Sequence, residues 1–142
     1  MNQDERWTYL TQLDDELLKG GVILSEWCSF VTKEVDIAFV HEAHLAAILL
    51  AVSAVETHLR SDSVPERRAP LVELIDSSEL PPDLKADLHS LRRYRNKWVH
   101  VNEPWNDEPL LENLAQIEQE LEAMAMLAVQ VLRRTLYANP WV

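Results

Sequence analysis

The chain has 142 residues, 47% of them hydrophobic, with two glycines, one cysteine, and 24 acids against 13 bases for a net charge of -11. That length suits one domain with a single core, and the apolar content excludes a disordered chain. The acidic balance excludes non-specific nucleic-acid binding over the whole surface, and a lone Cys28 excludes an intramolecular disulfide or a cysteine metal cluster.

A reducing cytoplasm is the expected compartment. The opening Met1-Asn2-Gln3-Asp4-Glu5-Arg6 is polar and acidic, unlike a signal peptide. The apolar run from Leu45 to Val55 is too short to span a bilayer, so no membrane partner is expected.

In chain order, Trp7, Leu10, Leu13, Leu17 and Leu18 recur at helical spacing and predict a first amphipathic helix stopped by Gly20-Gly21. Val22 to Thr32 reads as a short second helix or a connector, with Ser25 as a start signal. The stretch from about Asp36 to Arg60 has neither Gly nor Pro and predicts one long central helix with Leu45, Leu49, Val52 and Leu59 as its stripe. Asp62, Ser63 and Pro65 end it. Pro70 opens a short helix through Ile75. A further helix runs from about Pro82 to Val101 on Leu84, Leu88, Leu91 and Trp98, and stops before Glu103-Pro104. Asn106-Asp107 caps a last helix with Pro109 in its first turn. Its seam is Leu110, Leu114, Ile117, Leu121, Met124, Ala128 and Val131, and it ends near Tyr137, before Asn139-Pro140. Such stripes bury against one another, so the expected fold is all-α, a bundle of four main helices with one or two short ones.

Charge is unevenly spread. Residues 60–97 hold eight bases and seven acids, while the remainder holds five bases and 17 acids. Arg92, Arg93, Arg95 and Lys97 fall within six residues and are the candidate phosphate-binding group, with a solvated, internally paired helix face as the alternative. Within this stretch Arg95-Asn96-Lys97-Trp98-Val99-His100 sets an arginine and a histidine on one helix end. Arginine is permanently charged and grips phosphate through a planar fork of donors. Histidine exchanges a proton between about pH 5 and 8. Together they are what cleavage of an RNA phosphodiester needs.

At about 100° per residue, Arg95 falls about 40° from Leu91, on the core-facing arc, and needs a partner or an opening to water. Extending the Leu45, Leu49, Val52 rhythm reaches Glu56, so an Arg95–Glu56 pair is expected, with Arg60 as the competitor for Glu56. Arg95 and His100 lie about 140° apart on an ideal helix. Either the helix loosens before Glu103-Pro104, or a second protomer supplies half the site.

Arg95-Asn96-x-x-x-His100 late in a helix, with the upstream helix Ala51-Val52-Ser53-Ala54-Val55-Glu56-Thr57-His58-Leu59-Arg60, resembles the HEPN superfamily of small helical domains over roughly residues 30–137. The resemblance implies a four-to-five-helix bundle that dimerises with its two motif helices facing across a cleft. Many members are metal-independent endoribonucleases of toxin–antitoxin, abortive-infection or CRISPR systems, and others are non-catalytic interaction modules. Carried over, His100 handles the proton of the ribose 2′-hydroxyl or of the leaving oxygen, and Arg95 stabilises the phosphorane. Asn96 orients His100 or contacts the phosphate, and Glu56 supports Arg95. The implied partners are an RNA substrate, a second copy, and an antitoxin or other protein; no cofactor or metal is implied. In members regulated by a nucleotidyltransferase antitoxin a tyrosine follows the histidine by two residues. Asn102 stands there, so control by tyrosine modification is not expected.

Three other signals carry less. His41-Glu42-Ala43-His44 is not a metalloprotease motif and lacks a third ligand nearby. Cys28, between Trp27 and Phe30-Val31, reads as a buried inert thiol. The tryptophans, Trp98, Trp105 and Trp141 among them, suit RNA stacking or, more commonly, packing.

Overall fold

A computed structural model, described over residues 1–62 and 68–139, contains seven α-helices and no β-strand among the described residues. They are α1 (Gln3–Leu17), α2 (Glu26–Val40), α3 (His44–Ser61), α4 (Leu71–Ser77), α5 (Pro82–Val99), α6 (Glu108–Glu112) and α7 (Leu114–Leu136). Five are long, and α4 and α6 are short. Ser63, Pro65, Pro140 and Trp141, used above as stop signals or stacking residues, lie outside the described residues, as do Glu66 and Arg67, counted among the acids and bases of residues 60–97.

Local chemistry sets several ends. The Asn2 side chain accepts from Glu5 N–H at 2.8 Å, and Ser25 Oγ accepts from Cys28 N–H at 3.1 Å, each satisfying an orphan amide of a first turn. Ser25 therefore starts a full helix, not a connector. Pro82 occupies the first turn of α5, where a missing N–H costs nothing.

The long central helix is instead two. It breaks at His41–Ala43, where Glu42 takes a left-handed backbone at φ 60°. No Gly or Pro marks the break; tertiary packing imposes it. Cys28 Sγ lies 3.7 Å from the Ala54 carbonyl, so α2 and α3 form an antiparallel hairpin. The buried stripe of α3 is correspondingly Ile48, Ala51, Val52, Val55 and Leu59, while Leu45 and Leu49 are only half-buried.

The expected last helix is also broken, at Asn113. The Asn113 amide donates to the Pro109 carbonyl at 3.0 Å, an alternative to continued helical bonding. The seam of α7 is buried from Ala125 through Ala128, Val129 and Leu132 to Leu136, but Leu110 and Leu114 are exposed.

α3 is the central element and packs against α2, α7 and α5. α5 is fixed by Leu84, Leu88, Leu91 and Tyr94, all buried. Arg134 of α7 adds a clamp, donating to Asp87 at 2.8 Å and to Asp83 at 2.9 Å. This anchoring leaves the last turn of α5 as the edge of the bundle. No described helix is long and apolar enough to cross a membrane.

Candidate functional site

Leu84, Leu88, Leu91 and Tyr94 turn one face of α5 into the core, and the motif follows on the flank of that face. Arg95 is half-buried there rather than core-facing, because Tyr94 takes the inward position. Its Nε donates to Asn96 Oδ1 at 2.9 Å. Among the described residues no carboxylate lies within ion-pair distance of Arg95, and its two terminal amino groups have no partner.

The expected Arg95–Glu56 pair does not form. Glu56 Oε1 accepts from Arg60 Nη2 at 3.0 Å, one turn along α3. With the buried stripe running through Val52, Val55 and Leu59, Glu56 falls on the half-exposed flank. The i,i+4 geometry then supplies Arg60 as a near partner. Arg60 Nη1 also reaches the Ala69 carbonyl at 3.0 Å.

α5 ends at Val99, two residues before the expected end, and His100 is its cap. His100 has left helical backbone, with φ -127° and ψ 59°, while its N–H still donates to Asn96 O at 3.0 Å. The ring is exposed and has no hydrogen-bond or ion-pair partner among the described residues. The Asn96 side chain thus holds Arg95, while His100 is fixed only through its backbone N–H and its ring is not held.

The four clustered bases do not form one patch. Arg92 Nη2 is 3.5 Å from His89 Nδ1, and His89 Nε2 is 2.7 Å from Asp76 Oδ1, a chain tying α5 to α4. Lys97 Nζ sits over the Tyr94 ring at 5.1 Å, toward the other flank. Arg93 is exposed and unpaired among the described residues. Neither Arg95 nor His100 lines the cavity of about 430 Å³ beside His58, Asp62 and Ser77, nor the groove beyond Trp98.

Two buried arginines were not visible in the apolar periodicity. Arg133, 3% exposed, donates from Nε to Asp14 at 2.9 Å and through both terminal nitrogens to Asp36 at 3.0 and 2.9 Å. Tyr137 Oη donates to the same Asp14 oxygen at 2.6 Å. Burial, and then that carboxylate, push the phenol pKa up. Arg6, fully buried, donates to Glu122 at 2.8 Å and to the Phe39 carbonyl at 3.1 Å, with its guanidinium 4.8 Å from the Phe39 ring. The available signal was a carboxylate inside an apolar run, Val35-Asp36-Ile37-Ala38-Phe39-Val40. The Arg133 group is paired through all three guanidinium nitrogens, while Arg6 keeps a buried Nε without a partner; both join α1, α2 and α7 and so hold structure rather than substrate.

The remaining minor signals separate. His41 Nδ1 is 3.1 Å from Gln3 Nε2, Glu42 lies 3.7 Å from Arg6, and His44 Nδ1 is buried without a partner. Burial raises the Cys28 thiol pKa, and the side chain is fully enclosed. No group of three metal-ligating side chains exists among the described residues.

No protein-family model, curated protein or solved structure matches this chain.

Proposed function

We propose that this chain is an HEPN-like, metal-independent endoribonuclease that acts as a homodimer on single-stranded or loop RNA, as a toxin or phage-defence effector. The observation that carries the reading is the pairing at the end of α5. An arginine with free terminal donors, held through Nε by the Asn96 side chain, stands five residues before an exposed, unpaired histidine at the helix cap.

The chemistry follows from these groups. The ribose 2′-hydroxyl attacks phosphorus, the bond to the 5′ oxygen breaks, and the product carries a 2′,3′-cyclic phosphate. His100 takes the 2′-hydroxyl proton or protonates the leaving oxygen. Arg95 directs its terminal amino groups to the phosphorane oxygens, where charge develops. Asn96 fixes the guanidinium through Nε, and the exposed Arg93 holds a neighbouring phosphate. Arg92 and Lys97, engaged with His89 and Tyr94, contribute general field rather than direct contacts. The motif lies on an open edge of one protomer, and a second copy facing it completes a water-poor cleft.

That open edge is also the one observation favouring a different reading, a non-catalytic HEPN-like interaction module. RNA cleavage in EDTA, wild type beside His100→Ala, with product ends analysed, decides between them. Cutting that leaves cyclic phosphate and disappears in the variant supports the ribonuclease. Equal background from both proteins across several RNAs overturns it.

A further inference from the structure

Beyond α5 the chain exposes apolar side chains that the bundle does not use. Trp105 is 76% exposed and Leu111 68%, with Val101, Leu110 and Leu114 also open to water. Apolar side chains left this exposed within one stretch of a folded chain point to an interaction surface. Of these, Val101 and Leu110 line a groove. It has a volume of about 520 Å³ and runs between the end of α5, the loop that follows, α6 and α7, floored by Trp98, Val101, Leu110 and Ile117. That volume falls within the range of roughly 300–1,000 Å³ typical of ligand sites.

Its rim is acidic. Glu103, Asp107 and Glu120 line it against a single base, Lys97. Residues 101–132 as a whole contain seven acids and no Lys or Arg.

We propose that this groove docks a basic amphipathic segment of another protein, an apolar side chain entering it while Lys or Arg side chains meet the acidic rim. Apolar anchors laid into a groove are the usual way such a segment is held. The charge excludes RNA and anionic membrane as occupants, since both would meet like charge. A second copy fits poorly as well. The chain's own basic run, Arg92 to Lys97, lies on a helix whose apolar residues Leu88, Leu91 and Tyr94 are already buried in its own core. This docking proposal does not rest on ribonuclease activity at Arg95 and His100, although Lys97 borders both sites.

Isothermal titration of the full chain with three synthetic peptides tests this. One is a Leu/Lys amphipathic helix of about 18 residues, five turns long; the second is its scramble, and the third its Leu/Glu counterpart. The amphipathic Lys peptide is expected to bind at least about tenfold more tightly than the scramble, a difference of about 1.4 kcal/mol. The Glu peptide is expected to give no binding. Leu110→Ser and the double variant Glu103→Gln/Asp107→Gln, all at exposed positions, should each weaken binding at least about fivefold. Sedimentation of the Leu110→Ser variant should show the wild-type oligomeric state. Equal binding of scramble and helix would mean bulk charge attraction and overturn the proposal. So would affinity unchanged in both variants, or loss of a dimer in Leu110→Ser, which would place a second copy on this face.

Discussion

Arg133 donates from three nitrogens to two carboxylates and is almost wholly enclosed, whereas Arg95 donates from one nitrogen to a neighbouring amide and is half-exposed. The two sit on helices of the same bundle. At the α1–α2–α7 junction the cation's donors are filled by Asp14 and Asp36, and the phenol of Tyr137 closes the set. At the end of α5 the cation is held by the minimum needed to orient it. A buried ion pair fully satisfied within the protein has nothing left for a ligand, while an oriented guanidinium with two unused amino groups does. Polar residues in a bundle thus divide by what remains unpaired, not by charge type.

The largest expected effect breaks the closed side of this contrast. Arg133→Ala leaves Asp36 half-enclosed without its cation and should destabilise the fold by about 3–5 kcal/mol, read by urea denaturation. A loss under about 1 kcal/mol would show that water replaces the guanidinium easily and that the junction is not closed.

A smaller effect comes from two histidines on the structural side. Burial lowers the pKa of His44, with Arg6 adding to the shift and Glu122 and Glu42 opposing it. Burial likewise lowers the pKa of His58, against an opposing Asp62. The unfolded chain therefore binds more protons than the folded one below the ordinary histidine value of about 6.5. Stability should fall as the pH drops from about 7 toward 5, and His44→Gln with His58→Gln should flatten that slope. A thermal midpoint that rises over this interval would contradict the assignment.

The smallest effect concerns Glu56. Paired with Arg60 on a half-exposed flank, Glu56→Ala should change stability by no more than about 0.5 kcal/mol and leave RNA cleavage intact. A large loss of cleavage would restore the Arg95–Glu56 connection that the sequence suggested.

Much of the architecture was legible from periodicity. Leu84, Leu88 and Leu91 placed the buried face of α5, Ser25 marked the start of α2, and Gly20-Gly21 followed the end of α1. The two unforeseen breaks have different causes. Glu42 adopts a left-handed backbone that no local signal announces, and Asn113 folds back on Pro109. The misplaced stripe of α3 follows from the first break, because a helix begun at His44 buries Ile48 and Val55 in place of Leu45 and Leu49. That shift carries Glu56 away from Arg95. The motif itself was legible as residues, but its geometry was not. An ideal helix put His100 about 140° from Arg95, whereas α5 has ended by Val99 and His100 takes cap geometry. The groove beyond Trp98 was hidden for a related reason: Leu110 and Leu114 fit the seam by spacing, yet the break at Asn113 leaves them outside the core.

The most direct measurement sets stability and chemistry side by side in Arg95→Ala. The half-exposed guanidinium with one hydrogen bond predicts a thermal midpoint close to wild type and a loss of RNA cleavage of about a hundredfold or more. A clearly lowered midpoint with cleavage unchanged would place Arg95 in the same structural class as Arg133 and contradict the account.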